Sequence, residues 1–264
     1  MNYKIVTKCR VCMHTLTKLF RIAPQYIAST FVKSNKNNPK AKIKIPMTVM
    51  LCKSCGLVQL KETVSRDLLY TEYFYRSNVS DTMKRDLQDV VDSVCKMADW
   101  QRGDNVLDIG CNDGLMMTMF PSGVYAQGID PAKNIKPVNQ EVHILTDYFP
   151  SDKLLLSYKI ITCTACFYDF PDPNKAVLEM KKLLTKDGVI CIQVSYLYDT
   201  IKDMNFYDFV HEHLEYYSLE SIKYLFEKNG MKIVDATTNW VNGGSLRIYA
   251  AHSESKRKVS DNIE

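Results

Sequence analysis

The chain has 264 residues, 46% of them apolar, with 34 basic against 30 acidic side chains and a net charge of +4. That composition supports a sizeable core and argues against a disordered chain. The charge is too mild, and too poor in Lys/Arg runs beside aromatics, to point to a nucleic-acid partner. No apolar run reaches the roughly 18 residues needed to span a bilayer, and the opening MNYKIVTKCRVC has neither the apolar stretch nor the cleavage site of a signal peptide. A reducing cytoplasm is therefore the expected location, and the nine cysteines are not expected to form a disulfide framework.

Residues 1–60 read as a small metal-stapled domain. Cys9-x-x-Cys12 and Cys52-x-x-Cys55 form two knuckles, and two residues between thiols let both face one ion. Four cysteines fill a tetrahedral Zn²⁺ site and leave no position for water, so the zinc is expected to be structural; His14 is a substitute ligand that the four thiols do not need. A segment of about 60 residues with few apolar side chains needs such a staple. The polar stretch KSNKNNPKAKIKIP (33–46) reads as a loop. Residues 61–103 read as a mostly helical connector. There, Val79, Met83, Leu87, Val91 and Val94 recur at helical spacing behind a cap at Ser80 or Asp81.

From Asp104 to Ala251 the pattern changes to short apolar strands alternating with helices, the sign of a parallel sheet with crossovers. Strands are expected at 105–110, 125–130, 142–145, 158–165, 188–196, 232–238 and 245–251. Asp172-Pro173 reads as an N-cap with proline at the first helical position; that helix buries Val177, Met180, Leu183 and Leu184. Ser218 caps another, carrying Ile222, Leu225 and Phe226 and closed by Gly230. The last two strands suit an antiparallel hairpin. The fold class is thus α/β, a Rossmann-like seven-stranded methyltransferase sheet behind a zinc-ribbon-like domain. The tail, 252–264, is expected to be polar and loose.

VLDIGCNDG (106–114) carries the expected cofactor site. An apolar strand enters a glycine turn that opens a helix, and a backbone without Cβ at Gly110 and Gly114 approaches a ligand closely. Dinucleotide enzymes use G-x-G-x-x-G around a pyrophosphate. The spacing here, Asp108-x-Gly110-x-x-x-Gly114, lacks the middle glycine and suits a ligand without phosphates, S-adenosylmethionine, with its amino-acid part on the turn. Asn112 belongs to the same contact surface, and Cys111 reads as a small filler rather than a nucleophile. Asp130 ends the next strand, where an acid accepts from both ribose hydroxyls. Asp147, after the third strand, is the candidate for the adenine amino group. Cys163-x-x-Cys166 reads as packing, because strand residues three apart face opposite ways, and Cys95 and Cys191 read as core.

The candidates for proton chemistry gather in FYDFVHEHLEYYS (206–218), after the fifth strand, where open α/β sheets bind ligands. His211, Glu212 and His213 stand together beside Tyr207, Tyr216 and Tyr217. HEH is not a metalloprotease motif, and no third ligand accompanies it. A second aromatic cluster, TEYFYRSNVS (71–80), leads into the sheet.

In order, CRVC, LCKSCGLVQL, EYFYRSNVSDTM, VLDIGCNDG, FYDFPDP, HEHLEYYSL and NGGSLRIY resemble the zinc-binding sugar C-methyltransferases, over nearly the whole chain. The resemblance implies a nucleotide-linked keto-deoxysugar as the small-molecule substrate. It implies His213 as the base that removes the proton next to the ketone, Glu212 and His211 beside it, and Tyr75 near the sugar. An enolate is a carbon nucleophile only when its oxyanion is stabilised, and tyrosine hydroxyls donate to it. The chain departs from the family at Val210, where many members have tyrosine, at Asn242, where many have histidine, and in CTACFYDF, where many have an Asn/His pattern. The family also implies a second Rossmann-like domain beyond the tail, where this sequence ends. Two other readings compete: an O- or N-methyltransferase acting on a small metabolite or sugar, and a non-catalytic zinc-ribbon binding module on a degenerate methyltransferase fold.

Overall fold

A computed structural model of the protein describes residues 2–28 and 42–263. The stretch read as a loop lies outside the described residues over 33–41. Its last residues instead open a strand. β1 (Tyr3–Ile5) pairs with β5 (Glu62–Val64), and β2 (Thr17–Tyr26), β3 (Lys44–Leu51) and β4 (Val58–Leu60) form a meander. Pro46, which donates nothing to a ladder, sits where the β2–β3 register shifts between Ile22 and Gln25.

The connector is only partly helical. After the short α1 (Arg66–Tyr70) the aromatic segment runs irregularly until Ser80 caps α2 (Asp81–Ala98), its hydroxyl accepting from Met83 N. Val79 lies ahead of the helix and is 73% exposed. The buried stripe instead uses Leu87, Val90, Val91 and Val94.

Strands β6 (Asn105–Ile109), β7 (Tyr125–Asp130), β8 (His143–Thr146), β9 (Tyr158–Thr164), β10 (Leu184–Ser195), β12 (Met231–Asn239) and β13 (Ser245–His252) build the large sheet, in the order β12-β13-β10-β9-β6-β7-β8. β6 to β10 run parallel, and β13 is antiparallel to both of its neighbours. The seven-stranded sheet and its closing antiparallel hairpin are as read from the sequence. Period-2 alternation sorts the core. Val106, Ile160, Val189 and Cys191 face α2, whereas Leu107, Ile161, Ile190 and Ile192 face α3 (Pro173–Leu183) and α5 (Leu219–Lys228). Asp172 caps α3, accepting from Lys175 N at 3.0 Å, and Ser218 and Ser221 form a reciprocal capping box on α5.

Two expectations are corrected here. The glycine turn opens only a single 3₁₀ turn, Met116–Met119, because Pro121 follows too soon for a helix. α2, from upstream in the chain, covers that face instead. The tail is not loose. Arg257 donates to the Met97 and Ala98 carbonyls at the end of α2 and to Asp187 O, and Ser260 N donates to Val234 O at 2.8 Å.

The two lobes share a sheet. β11 (Glu215–Tyr216), from the HEHLEYY segment, pairs antiparallel with β4 and becomes the edge of the N-terminal meander. Behind it the buried Arg10 guanidinium meets Glu215 at 3.3 Å and donates to Leu60 O, Thr63 Oγ1 and Pro171 O. No helix among the described residues is long and apolar enough to cross a membrane.

Candidate active site

The four N-terminal thiols converge, all within 4.8 Å of one another, with Cys9–Cys55 at 3.5 Å and Cys12–Cys52 at 3.3 Å. A tetrahedral zinc with Zn–S of about 2.3 Å has edges of about 3.8 Å, so the cluster fits one ion. The two knuckles repeat one hydrogen-bond pattern. Cys9 N donates to His14 O and Met13 N to Cys9 O, just as Cys52 N donates to Leu57 O and Gly56 N to Cys52 O. The closing residue has positive φ in both, 64° at Met13 and 73° at Gly56. His14 is exposed and offers only its carbonyl.

At the carboxyl ends of β6, β7 and β9 lies a cavity of about 300 Å³. One end is the glycine turn. Gly110 has φ 71°, and a Cβ there would come 2.5 Å from Cys166 Sγ. The Asn112 amide donates to Asp130 Oδ2 at 2.9 Å, and the Ala132 amide to Oδ1 at 2.9 Å. Burial pushes the Asp130 carboxyl up, and those two amides pull it back. Beneath the turn Asp108 accepts from Thr162 Oγ1 at 2.9 Å, and burial lifts it to about 7. Asp108, Gly110, Cys111, Asn112 and Asp130 all line the cavity. Gly114, φ 75°, does not; a Cβ there would meet Val142 at 2.3 Å, so its task is packing. Cys111 packs its sulfur over Gly128 and is buried, as a filler should be.

Asp147 is also outside the lining. Its carboxylate pairs with Lys153 at 2.9 Å and accepts from Ser151 Oγ, and both hold it below the usual carboxylate range. The next two residues, Tyr148 and Phe149, face the cavity in its place.

Tyrosines make the other end: Tyr70, Tyr73, Tyr75 and Tyr168, with Asp169 among them. The segment bearing Tyr73 and Tyr75 is tied down by the glycine turn itself. Asn112 accepts from Ser77 N and donates to Tyr75 O, Asp113 accepts from Asn78 N, and Asn134 exchanges two 2.9 Å bonds with the Tyr73 backbone. Arg76 closes the loop through the Tyr73 and Tyr75 carbonyls, each at 2.8 Å. Asp113, Asn134, Arg76 and Asp169 were not singled out from the sequence. For Asp169 a signal existed, an acid between aromatics just past the end of a parallel strand.

The HEH residues part company. His211 donates from Nε2 to Ile45 O at 3.0 Å, which makes it a tie to β3 and not a group facing the cavity. Glu212 is buried and its charge reaches Tyr70 and Tyr73. His213 lies behind Tyr168, ring centroids 4.1 Å apart, with Nδ1 3.0 Å from Asp208 O. A carbonyl only accepts, so Nδ1 carries the proton and Nε2 keeps its lone pair. Cys163 and Cys166 pack in the core as read, but not on opposite faces. β9 ends at Thr164, Ala165 takes φ 54°, and the two sulfurs come to 3.0 Å.

A glycine turn and acid on a seven-stranded sheet of this order, beside a four-thiol lobe, define a methyltransferase domain joined to a zinc-binding one. The family described as a methyltransferase domain matches residues 75–236, more than half of the chain, and the protein belongs to it; a second family, described as a zinc binding domain, matches residues 9–70. The C-methyltransferase NovU of Streptomyces niveus is 26% identical over 264 residues, which cover 96% of this chain and 63% of that protein's length. An S-adenosylmethionine-dependent methyltransferase from Clostridium acetobutylicum superposes with a TM-score of 0.52 at 14% identity, over 66% of this chain and 93% of that one. Magnesium protoporphyrin IX methyltransferase from Synechocystis, with bound S-adenosylhomocysteine, gives 0.51 at 16% identity, over 66% and 89%. These two likenesses concern the fold.

Proposed function

We propose that this protein transfers a methyl group from S-adenosylmethionine to a carbon atom of a nucleotide-linked keto-deoxysugar, through an enolate formed by His213. One observation carries the reading: Tyr168, which lines the tyrosine end of the cavity, lies tilted against the ring of His213 behind it, centroids 4.1 Å apart, and Nδ1 of that ring is taken by Asp208 O, leaving Nε2 as its basic nitrogen. The name of the Streptomyces niveus relative, a C-methyltransferase, supports carbon as the acceptor atom. Asp130, Asn112 and the Gly110 backbone fit the ribose and amino-acid parts of the donor. Two carboxyl groups at the glycine-turn end of the lining, Asp108 and Asp130, suit a cationic ligand. A degenerate, non-binding fold would not need these groups kept in place.

Bound S-adenosylmethionine supplies an electrophilic methyl group. His213 takes the proton from the carbon beside the ketone, and the hydroxyls of Tyr73 and Tyr75 are placed to donate to the oxygen that gains charge. The three parts read from the sequence keep separate tasks in this proposal. Residues 1–60 hold the base segment through zinc, 61–103 supply tyrosines, and 104–251 bind the donor.

Asp130→Ala should weaken S-adenosylhomocysteine binding by about 10²-fold, the loss of two charge-assisted hydrogen bonds. Calorimetry checks this, and unchanged affinity removes Asp130 from the site. The reaction is tested with methyl-¹³C donor and a panel of nucleotide-linked 4-keto sugars. The expected product carries the label on carbon. A label on oxygen or nitrogen moves the protein to the O- or N-methyltransferases. Absence of donor binding at millimolar concentration leaves the zinc-lobe binding module.

A further inference from the structure

Asp169 closes the short turn Phe167–Asp169 that follows β9. The positive φ of Ala165 folds the chain back, and Asp169 N donates to Cys166 O at 3.1 Å. This places the carboxyl in the cavity wall between the glycine turn and the tyrosines. Among the described residues lining that cavity, two buried side-chain oxygens have no hydrogen-bond partner, Thr164 Oγ1 and Asp169 Oδ1. Thr164 is the last residue of β9, so both lie in one stretch of wall.

Among the described residues no basic side chain offsets the burial of Asp169. Tyr70, at the end of α1, lies against the carboxyl while its hydroxyl donates to Glu212 O at 3.3 Å. Glu212 faces it from the segment before β11, and Glu215 faces it from β11 itself. Tyr73 comes from the connector, and Tyr168 and Cys166 from its own turn; an ionised Asp169 would raise all three. Arg10 is spent on Glu215 at 3.3 Å. Burial first, then the Glu212 and Glu215 charges, hold the Asp169 carboxyl well above the carboxylate range. A carboxylic acid that keeps its proton at neutral pH is a hydrogen-bond donor, and a stronger one than a phenol.

We propose that Asp169 is a catalytic residue which, as the neutral acid, donates a hydrogen bond to the acceptor's ketone oxygen and stabilises the enolate formed there. The role rests on the enolate reaction proposed above. The C–H bond beside the ketone breaks, its proton goes to His213 Nε2, and its electron pair moves into the carbonyl system. The oxygen gains charge under the Asp169 hydrogen bond. The pair then forms the new C–CH₃ bond as the S–CH₃ bond breaks toward sulfur, and the ketone returns with Asp169 unchanged.

The test uses the full chain and three forms of position 169. Asp169→Asn keeps the shape and a neutral N–H donor; Asp169→Ala removes the donor. Expected is a loss of kcat by about 10²–10³-fold in the alanine variant, the cost of one such donor, and of less than about 10-fold in the asparagine variant. S-adenosylhomocysteine affinity should be unchanged in both. Wild type should lose kcat as pH rises through the Asp169 titration, and the asparagine variant should lack that limb. Infrared difference spectra of wild type against Asp169→Asn should show a protonated carboxyl at neutral pH. Equal losses in both variants, a limb that persists in the asparagine form, or an ionised carboxyl at neutral pH would each overturn the assignment. The enolate reading is scored separately, by solvent deuterium entering the sugar in the wild type with S-adenosylhomocysteine in place of the donor. Exchange in wild type with equal loss in both variants refutes Asp169 alone, whereas no exchange with a proven substrate refutes the enolate and the Asp169 role with it.

Discussion

Replacing His213 with glutamine is expected to lower kcat by about 10³-fold while donor affinity stays within a factor of two. The imidazole is held by one bond, Nδ1 to Asp208 O at 3.0 Å, and a glutamine amide reproduces that donor. What glutamine lacks is the basic nitrogen at the other end of the ring. The Asp208 carboxylate does not take the ring over. It sits 4.0 Å from Nδ1 and accepts from Thr200 Oγ1 at 3.0 Å. Burial lowers the His213 pKa to about 4, so the ring is neutral, with Nε2 unprotonated, throughout the physiological range. The same shift has a stability signature. The unfolded histidine titrates near pH 6.5, so between about 6.5 and 4 the unfolded chain binds a proton that the folded one refuses. Stability therefore falls as pH falls through that window. His213→Gln should lose this component of the slope in denaturant titrations at pH 7 and pH 5. An unchanged kcat would remove His213 as the base, whatever the slope shows.

Local chemistry made the donor half legible. A strand that ends in Asp108-x-Gly110 and a second that ends in Asp130 need only a parallel sheet to bring turn and acid together. Asp172-Pro173 and Ser218 announced their helices for equally local reasons. What stayed hidden depended on distant partners. Glu215–Tyr216 is too short to read as a strand and exists only because β4, far away in sequence, offers an edge. Asp147 sits where an adenine contact belongs, but the following turn brings Lys153 and Ser151 onto its carboxylate. His211 and His213 are two positions apart and face different lobes, which no periodicity predicts in an irregular segment. Cys163 and Cys166 pack as read, but the expectation that they face opposite ways needed a strand through both, and one positive φ at Ala165 undid it.

Stripping the metal, or replacing Cys52 with serine, is expected to unfold the N-terminal lobe and stop turnover while leaving donor binding largely intact. For structural zinc the binding free energy, about 10–16 kcal/mol in small zinc modules, is folding free energy. That matches or exceeds the roughly 5–15 kcal/mol that holds a whole domain. Cys9, Cys52 and Cys55 are buried together with Val11 and Leu57, so removing the ion leaves four converging thiols inside packed core. The two halves of the cavity should then respond differently. The glycine turn and Asp130 rest on the large sheet and α2, and the tyrosine segment keeps its ties to Asn112, Asp113 and Asn134. The base segment hangs from the other lobe. Leu60 N donates to Leu214 O, β4 pairs with Glu215 and Tyr216, and His211 donates to Ile45 O. With that lobe unfolded, Glu215 also loses Arg10 and the strand that pairs with it. His213 loses its placement behind Tyr168 for the same reason. The check is metal content, thermal unfolding and S-adenosylhomocysteine calorimetry on one chelated sample. Full turnover in protein shown to be metal-free would mean that β4 and β11 hold the base segment without the zinc.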